Sequence, residues 1–191
     1  AVGHEIDIAG DAYMGWSVKY AKKMTQRLAK YDMAWVEEPV IADDISGYAE
    51  VREAAPMPIS GGEHEFTRWG HEDLLEEGAV DILQPDVGRV GGITEIQKVA
   101  DMAEVHDVPV IPHAGTNPTL HAIAGHTNMP MAEYFPTPEW FEEQQEEQES
   151  TYADAIFENP PSPENGSIPL PDEPGVSTQL NHEALEHFAV E

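Results

Sequence analysis

Short apolar runs alternate with one-sided amphipathic stretches along the first 135 residues of the chain. Six runs read as strands: HEIDIAG, MAWVE, MPISGGE, VDILQP, VPVIP and PMAE. They are nearly continuous in apolar residues, as strands covered on both faces are. Between them the period lengthens. Val18, Ala21, Met24, Leu28 and Tyr31 follow the 3, 4, 7 spacing of a helix with one apolar face, with Lys and Gln on the other. Similar readings predict helices over 44–54, 71–77 and 93–106, and a short helix over 118–126 opened by Pro118 near its first turn. Strand and helix in alternation imply parallel strands with crossover helices, an α/β fold.

One acidic or imidazole residue stands at or just after each apolar run: Asp11, Glu37, Glu63, Asp86, His113 and Glu133, at steps of 26, 26, 23, 27 and 20 residues. In a (β/α)8 barrel the C-terminal strand ends face one shared cavity, so this spacing becomes spatial proximity. A complete TIM barrel takes about 250 residues, and only six strand-plus-helix units are found in these 191. The expectation is a partial TIM barrel of about the last six βα units, strands 3 to 8, over residues 1–135. Beyond Tyr134 the periodicity fades into an acidic, Gln-rich stretch and then Pro160, Pro161, Pro163, Pro169, Pro171 and Pro174. Residues 136–191 are expected to be irregular chain packed on the barrel or on a missing domain, with a turn at Asn165-Gly166.

Lys and Arg number 9 against 37 Asp and Glu, a formal net charge of -28. Such a surface repels phosphate backbones and anionic membranes, which excludes nucleic acid and membrane surfaces as expected partners. The acids are spread over most helical segments as well as clustered at Glu142, Glu143, Glu146, Glu147 and Glu149. We read this as halophilic adaptation to a salt-rich cytoplasm, where screening relieves the self-repulsion. With no cysteine there is no disulfide scaffold, and no apolar stretch approaches the roughly 18 to 20 residues of a membrane span.

Asp11, Glu37 and Glu63 offer three carboxylates from neighbouring strand ends. Oxygen ligands select a hard divalent cation such as Mg2+. The competing reading is three solvated acids in a chain rich in them, with Glu38 and Glu65 as alternatives if a strand register slips by one. Asp86 and His113 on adjacent strand ends would set carboxylate against imidazole, fixing the tautomer and raising the basicity of a general base. His64, beside Glu63, faces either the cavity, as a substrate contact, or the adjoining loop. His4, His71, His106, His121, His126, His182 and His187 read as structural or exposed.

The motifs Asp11-Ala-Tyr-Met, Trp35-Val-Glu-Glu-Pro39, Gly62-Glu-His-Glu65, Gln84-Pro-Asp-Val-Gly88 with Gly91-Gly92, Pro112-His113 and Ala132-Glu133-Tyr134 resemble the barrel domain of the enolase superfamily. The mandelate racemase subgroup fits best, and within it the acid-sugar dehydratases of the L-rhamnonate dehydratase type. The resemblance runs from about Ile6 to Asn181. It implies Asp11, Glu37 and Glu63 as Mg2+ ligands, His113 as the base oriented by Asp86, and Glu133 facing the substrate carboxylate or enediolate. It also implies that an N-terminal capping domain and the first barrel strands are absent from these residues. The implied reaction removes the α-proton of a sugar acid and expels its β-hydroxyl, giving a 2-keto-3-deoxy acid. A racemase or epimerase of the same subgroup is the alternative, and a noncatalytic fragment of such an enzyme a third reading. The resemblance further implies a homo-oligomer when full length.

Overall fold

The computed structural model describes residues 3, 5–135, 157–158, 160–170, 172, 174–176 and 178–189. Four parallel strands, β1 (Ile8–Asp11), β2 (Met33–Glu37), β3 (Ile59–Gly61) and β4 (Ile82–Leu83), pair in chain order. The helices between them are α1 (Val18–Leu28), α2 (Ile45–Ala54) and α3 (Thr67–Glu76). Next come α4 (Val87–Val90), α5 (Ile93–Val105) and α6 (Asn117–Ile123), and α7 (His182–Phe188) lies in the C-terminal segment.

The wall continues past β4 without a full ladder. Val110 bridges Leu83 and His113 bridges Asp86, both in parallel sense. The Val110 N–H donates to the Asn128 carbonyl at 2.9 Å. The fifth apolar run therefore follows the sheet through isolated bridges, and Asn128, just before the sixth run, is tied to it by one hydrogen bond, whereas the first four runs form strands. The core joins Val36, Ile59, Leu83 and Val110 from successive strand positions to Ala21, Val51, Leu74, Ile96, Val99 and Ala103 from the helices. β1 departs from the expectation of burial on both faces: it pairs with β2 alone among the described residues, and Ile8 is exposed.

The helix ends follow local chemistry. Ser17 caps α1 by accepting from the Tyr20 N–H, and Asp44 caps α2 by accepting from Gly47. The stripe predicted through Tyr31 ends early. A 3-10 turn over Ala29–Tyr31 stops at Asp32, whose φ is +55°, and this swings Tyr31 into solvent. α3 begins four residues before the predicted 71, and α4 was not anticipated. The acidic stretch at 136–156 lies outside the described residues. Beyond it, Phe157 bridges Leu180 and Glu164 bridges Ser167 in antiparallel sense, and α7 is a helix in a segment expected to be irregular.

Candidate active site at the strand ends

Sharp turns follow the strands at one end of the sheet. Tyr13 (φ +45°) and Met14 (+59°) follow β1, Glu38 (+41°) follows β2, Gly62 (+117°) follows β3, and Ala114 (+56°) follows the fifth run. Left-handed backbone outside glycine costs on the order of 1–3 kcal/mol and persists where the surroundings hold it, commonly at functional sites.

These turns position the candidate residues. Asp11 and Glu37 are direct register partners at the ends of β1 and β2. Glu63 lies two residues past β3 and is buried. Asp86 does not close β4 as expected. It stands three residues beyond the strand and caps α4, its Oδ1 accepting from the N–H groups of Gly88 at 2.7 Å and Arg89 at 3.0 Å. Its other oxygen, Oδ2, lies 2.7 Å from Nδ1 of His113. An ionised carboxylate only accepts, so Nδ1 carries a proton and Nε2 is the basic atom. Nε2 lies 3.3 Å from Oε2 of Glu63 and 3.9 Å from Oε2 of Glu133. Glu133 is fixed in turn by the Ala114 N–H at 2.9 Å, and the edge of Phe135 meets the imidazole with centroids 5.7 Å apart. The structure thus gathers Glu63, Asp86, His113 and Glu133 into one cluster.

His64 turns toward carboxylates, with Nδ1 3.4 Å from Glu63 and 3.6 Å from Glu38. Glu38 serves the scaffold: it is 1% exposed, accepts from the Tyr48 hydroxyl at 2.7 Å and from the Gly62 N–H at 2.9 Å, and so ties the end of β2 to the end of β3. Sequence reasoning gave no role to Arg89, whose Nη1 donates to both the backbone carbonyl and Oε1 of Glu63. Its rarity was a usable signal, since the chain has only 9 Lys and Arg.

Charge is unevenly distributed in this cluster. Burial acts to lower the pKa of His113, but the hydrogen bond to Asp86 and the charges of Glu63, Glu133 and Asp86 outweigh it and hold it above the usual imidazole value. Burial acts to raise Asp86, and the hydrogen bonds from His113, Gly88 and Arg89 hold it below the usual carboxylate range. Burial pushes Glu37 up, and Glu133 and Asp11 push it further, against hydrogen bonds from Gln84 and Trp35.

Among the described residues, no three His, Asp or Glu side chains are gathered closely enough to hold a metal ion. Each proposed ligand is held by protein donors: Asp11 by the Tyr13 N–H at 2.7 Å, Glu37 by the Trp35 indole at 3.3 Å, and Glu63 by Arg89 at 3.1 Å. In kind, the donors suit a hard cation, being carboxylate oxygens at neighbouring strand ends. Glu37 is buried among like charges, a situation a divalent cation relieves.

A parallel α/β sheet with acids and a paired imidazole at its C-terminal strand ends has the arrangement by which (β/α) barrel folds build a site. The chain matches the family model described as enolase C-terminal domain-like over residues 1–184, and it belongs to that family. It is 36% identical over 184 residues to an L-rhamnonate dehydratase of Saccharopolyspora erythraea, covering 95% of this chain and 46% of that protein. It is 34% identical over 194 residues to a D-galactarolactone cycloisomerase of Agrobacterium fabrum, covering 98% and 50%. Among solved structures, an enolase from Bradyrhizobium complexed with magnesium and mandelic acid superposes with a TM-score of 0.87 at 28% identity, covering 100% of this chain and 48% of that one. The chain spans about half the length of these relatives. Among the described residues no helix is long and apolar enough to cross a membrane.

Proposed function

We propose that the protein dehydrates an acid sugar, an aldonate resembling L-rhamnonate, to a 2-keto-3-deoxy acid. The observation that carries this reading is the His113–Asp86 pair, with Nδ1 held at 2.7 Å and Nε2 turned toward Glu63 and Glu133. Neutral Nε2 accepts the α-proton, and Asp86 stabilises the imidazolium that results. The α-carbon electron pair then expels the β-hydroxyl, which takes that same proton from His113 and departs as water. The enol left behind tautomerises to the ketone. Glu133, at the end of the last apolar run, faces the substrate carboxylate or the enediolate formed from it. His64, whose ring meets Tyr13 edge to face at 5.9 Å, contacts the substrate hydroxyls. Asp11, Glu37 and Glu63 are the residues that would hold Mg2+, whose chemistry is to neutralise the substrate carboxylate and so acidify the α-proton.

A second reading, cycloisomerase or racemase, is favoured by the nearly equal identity to a cycloisomerase. It shares the α-proton step and differs in the fate of the carbanion, which is reprotonated or rearranged with no loss of water. The test presents the intact protein, in molar KCl with Mg2+, with a panel of aldonic acids and lactones. Deuterium exchange at the α-carbon and 2-keto-3-deoxy products are then monitored by NMR. Exchange with loss of water is expected. Exchange with isomerisation and no loss of water would select the second reading, and exchange with no member of the panel would reject both.

A further inference from the structure

We infer that Arg89 is a positioning residue that fixes the carboxylate of Glu63 against the His113–Asp86 pair. A single guanidinium nitrogen, Nη1, donates to the backbone carbonyl of Glu63 at 3.0 Å and to its Oε1 at 3.1 Å. The two bonds close a ring through the Glu63 side chain, so its rotamer is set relative to its own backbone. Oε1 is taken up by Arg89, and Oε2 is left facing Nε2 of His113 at 3.3 Å.

The contacts close into a loop. Oδ1 of Asp86 caps α4 by accepting from the Arg89 N–H at 3.0 Å, while Oδ2 of the same carboxylate holds Nδ1 of His113 at 2.7 Å. The single turn of α4 therefore carries Arg89 at a position set by the carboxylate that orients the base. His113, Asp86, Arg89 and Glu63 are thus linked in sequence, and the imidazole closes the ring back onto Glu63. Gly91 (φ +111°) and Gly92 (φ +90°) allow the chain to leave α4 after one turn and start α5. The other arginines with described partners bond elsewhere: Arg52 to Asp81 and Arg68 to Glu95.

This inference rests on the reading of Glu63 as a ligand and His113 as a base. Its consequence is kinetic. Freed of Arg89, Glu63 swings among rotamers, and both cation binding and the alignment of the substrate against Nε2 suffer. Partners that orient a ligating carboxylate are worth about 10–100-fold in affinity or activity.

The test compares Arg89→Gln and Arg89→Lys in the intact protein by melting curve, by calorimetric titration with Mg2+ alone, and by kcat and KM at saturating Mg2+. Arg89→Gln is expected to lose about 10–100-fold in kcat and in Mg2+ affinity, with KM for the substrate shifted less than about threefold. Arg89→Lys keeps charge and donors, and should fall between the two. Both variants within about twofold of wild type in kcat and Mg2+ affinity would overturn the assignment, being well short of the expected loss. So would an Arg89→Gln protein that fails to fold beside an Arg89→Lys protein equal to wild type, which would make the residue a support for the fold. An inactive wild type whose Mg2+ affinity still drops in Arg89→Gln would sink the proposed reaction and leave the positioning role standing.

Discussion

His113 is held by one short contact and two longer ones, and the three act differently. Asp86 at 2.7 Å fixes the tautomer, while Glu63 at 3.3 Å and Glu133 at 3.9 Å add negative potential on the side where a substrate proton would arrive. Replacing His113 by Asn removes the base without removing any carboxylate. Exchange of the α-proton should therefore fall by at least the roughly 10²–10⁴-fold that general base catalysis supplies, with Mg2+ affinity nearly unchanged. Full exchange by that variant in deuterated solvent would reject the role. Asp86→Asn should cost less, about 10–100-fold, by loosening the imidazole. It should also move the pH profile. The base works as the neutral imidazole, so kcat/KM rises with pH through the His113 pKa, which in wild type is raised. Loss of the Asp86 bond and charge lowers that pKa, so the acid limb of the variant should shift to lower pH. A limb that stays in place would mean that Asp86 does not tune the base.

The turns that end the strands show why some residues were legible from sequence and others were not. Asp11 and Glu37 close their strands in register, so apolar run followed by acid was a sufficient signal. Asp86 meets His113 but does so from a helix cap and not from a strand end. VDILQP reads as one extended run, yet Pro85 lacks an N–H to donate and Asp86 is an excellent helix cap, so the strand stops at Leu83 and a turn of helix begins. Glu38 was read as a spare ligand because spacing does not show which way a side chain turns. Its φ of +41° sends the carboxylate to Tyr48 and Gly62 instead. Burial raises its pKa against both of those hydrogen bonds, which lower it. Spacing could not show which residue Arg89 meets, because Glu63 lies 26 residues back, across two elements. The tie made by Glu38 gives a prediction at this scale. Glu38→Ala orphans the buried Tyr48 hydroxyl and the Gly62 N–H, at about 1–3 kcal/mol for each unmet group, so denaturant unfolding should lose about 2–6 kcal/mol. Tyr48→Phe should lose less, since Gly62 keeps its acceptor. A Glu38→Ala protein as stable as wild type would mean that the junction of β2 and β3 does not depend on this carboxylate.

Across the whole molecule, the 37 acids outnumber the 9 basic residues so far that local pairing cannot balance them. The bridges that do form, such as Lys22 to Glu50 at 2.6 Å and Lys98 to Glu95 at 2.6 Å, join partly exposed side chains. Exposed pairs of this kind contribute about 0–1 kcal/mol each. Most acids therefore face like charges through solvent, and the folded state holds that charge in a smaller volume than the unfolded chain does. Screening is the remaining source of relief. The Debye length falls from about 10 Å at 0.1 M salt to about 3 Å at 1 M. The thermal midpoint should consequently rise from about 0.1 M to about 2 M KCl, with the steepest gain at the low end where the screening length changes most. Mg2+ compared at matched ionic strength should add a further increment, because a ligand that binds only the native site stabilises by mass action. Removing one proposed ligand, as in Glu37→Gln, should abolish the Mg2+ increment and leave the KCl response intact. Coincident melting curves at the two KCl concentrations would end the halophilic reading. An Mg2+ increment that survives in Glu37→Gln would move the cation to some other part of the acidic surface.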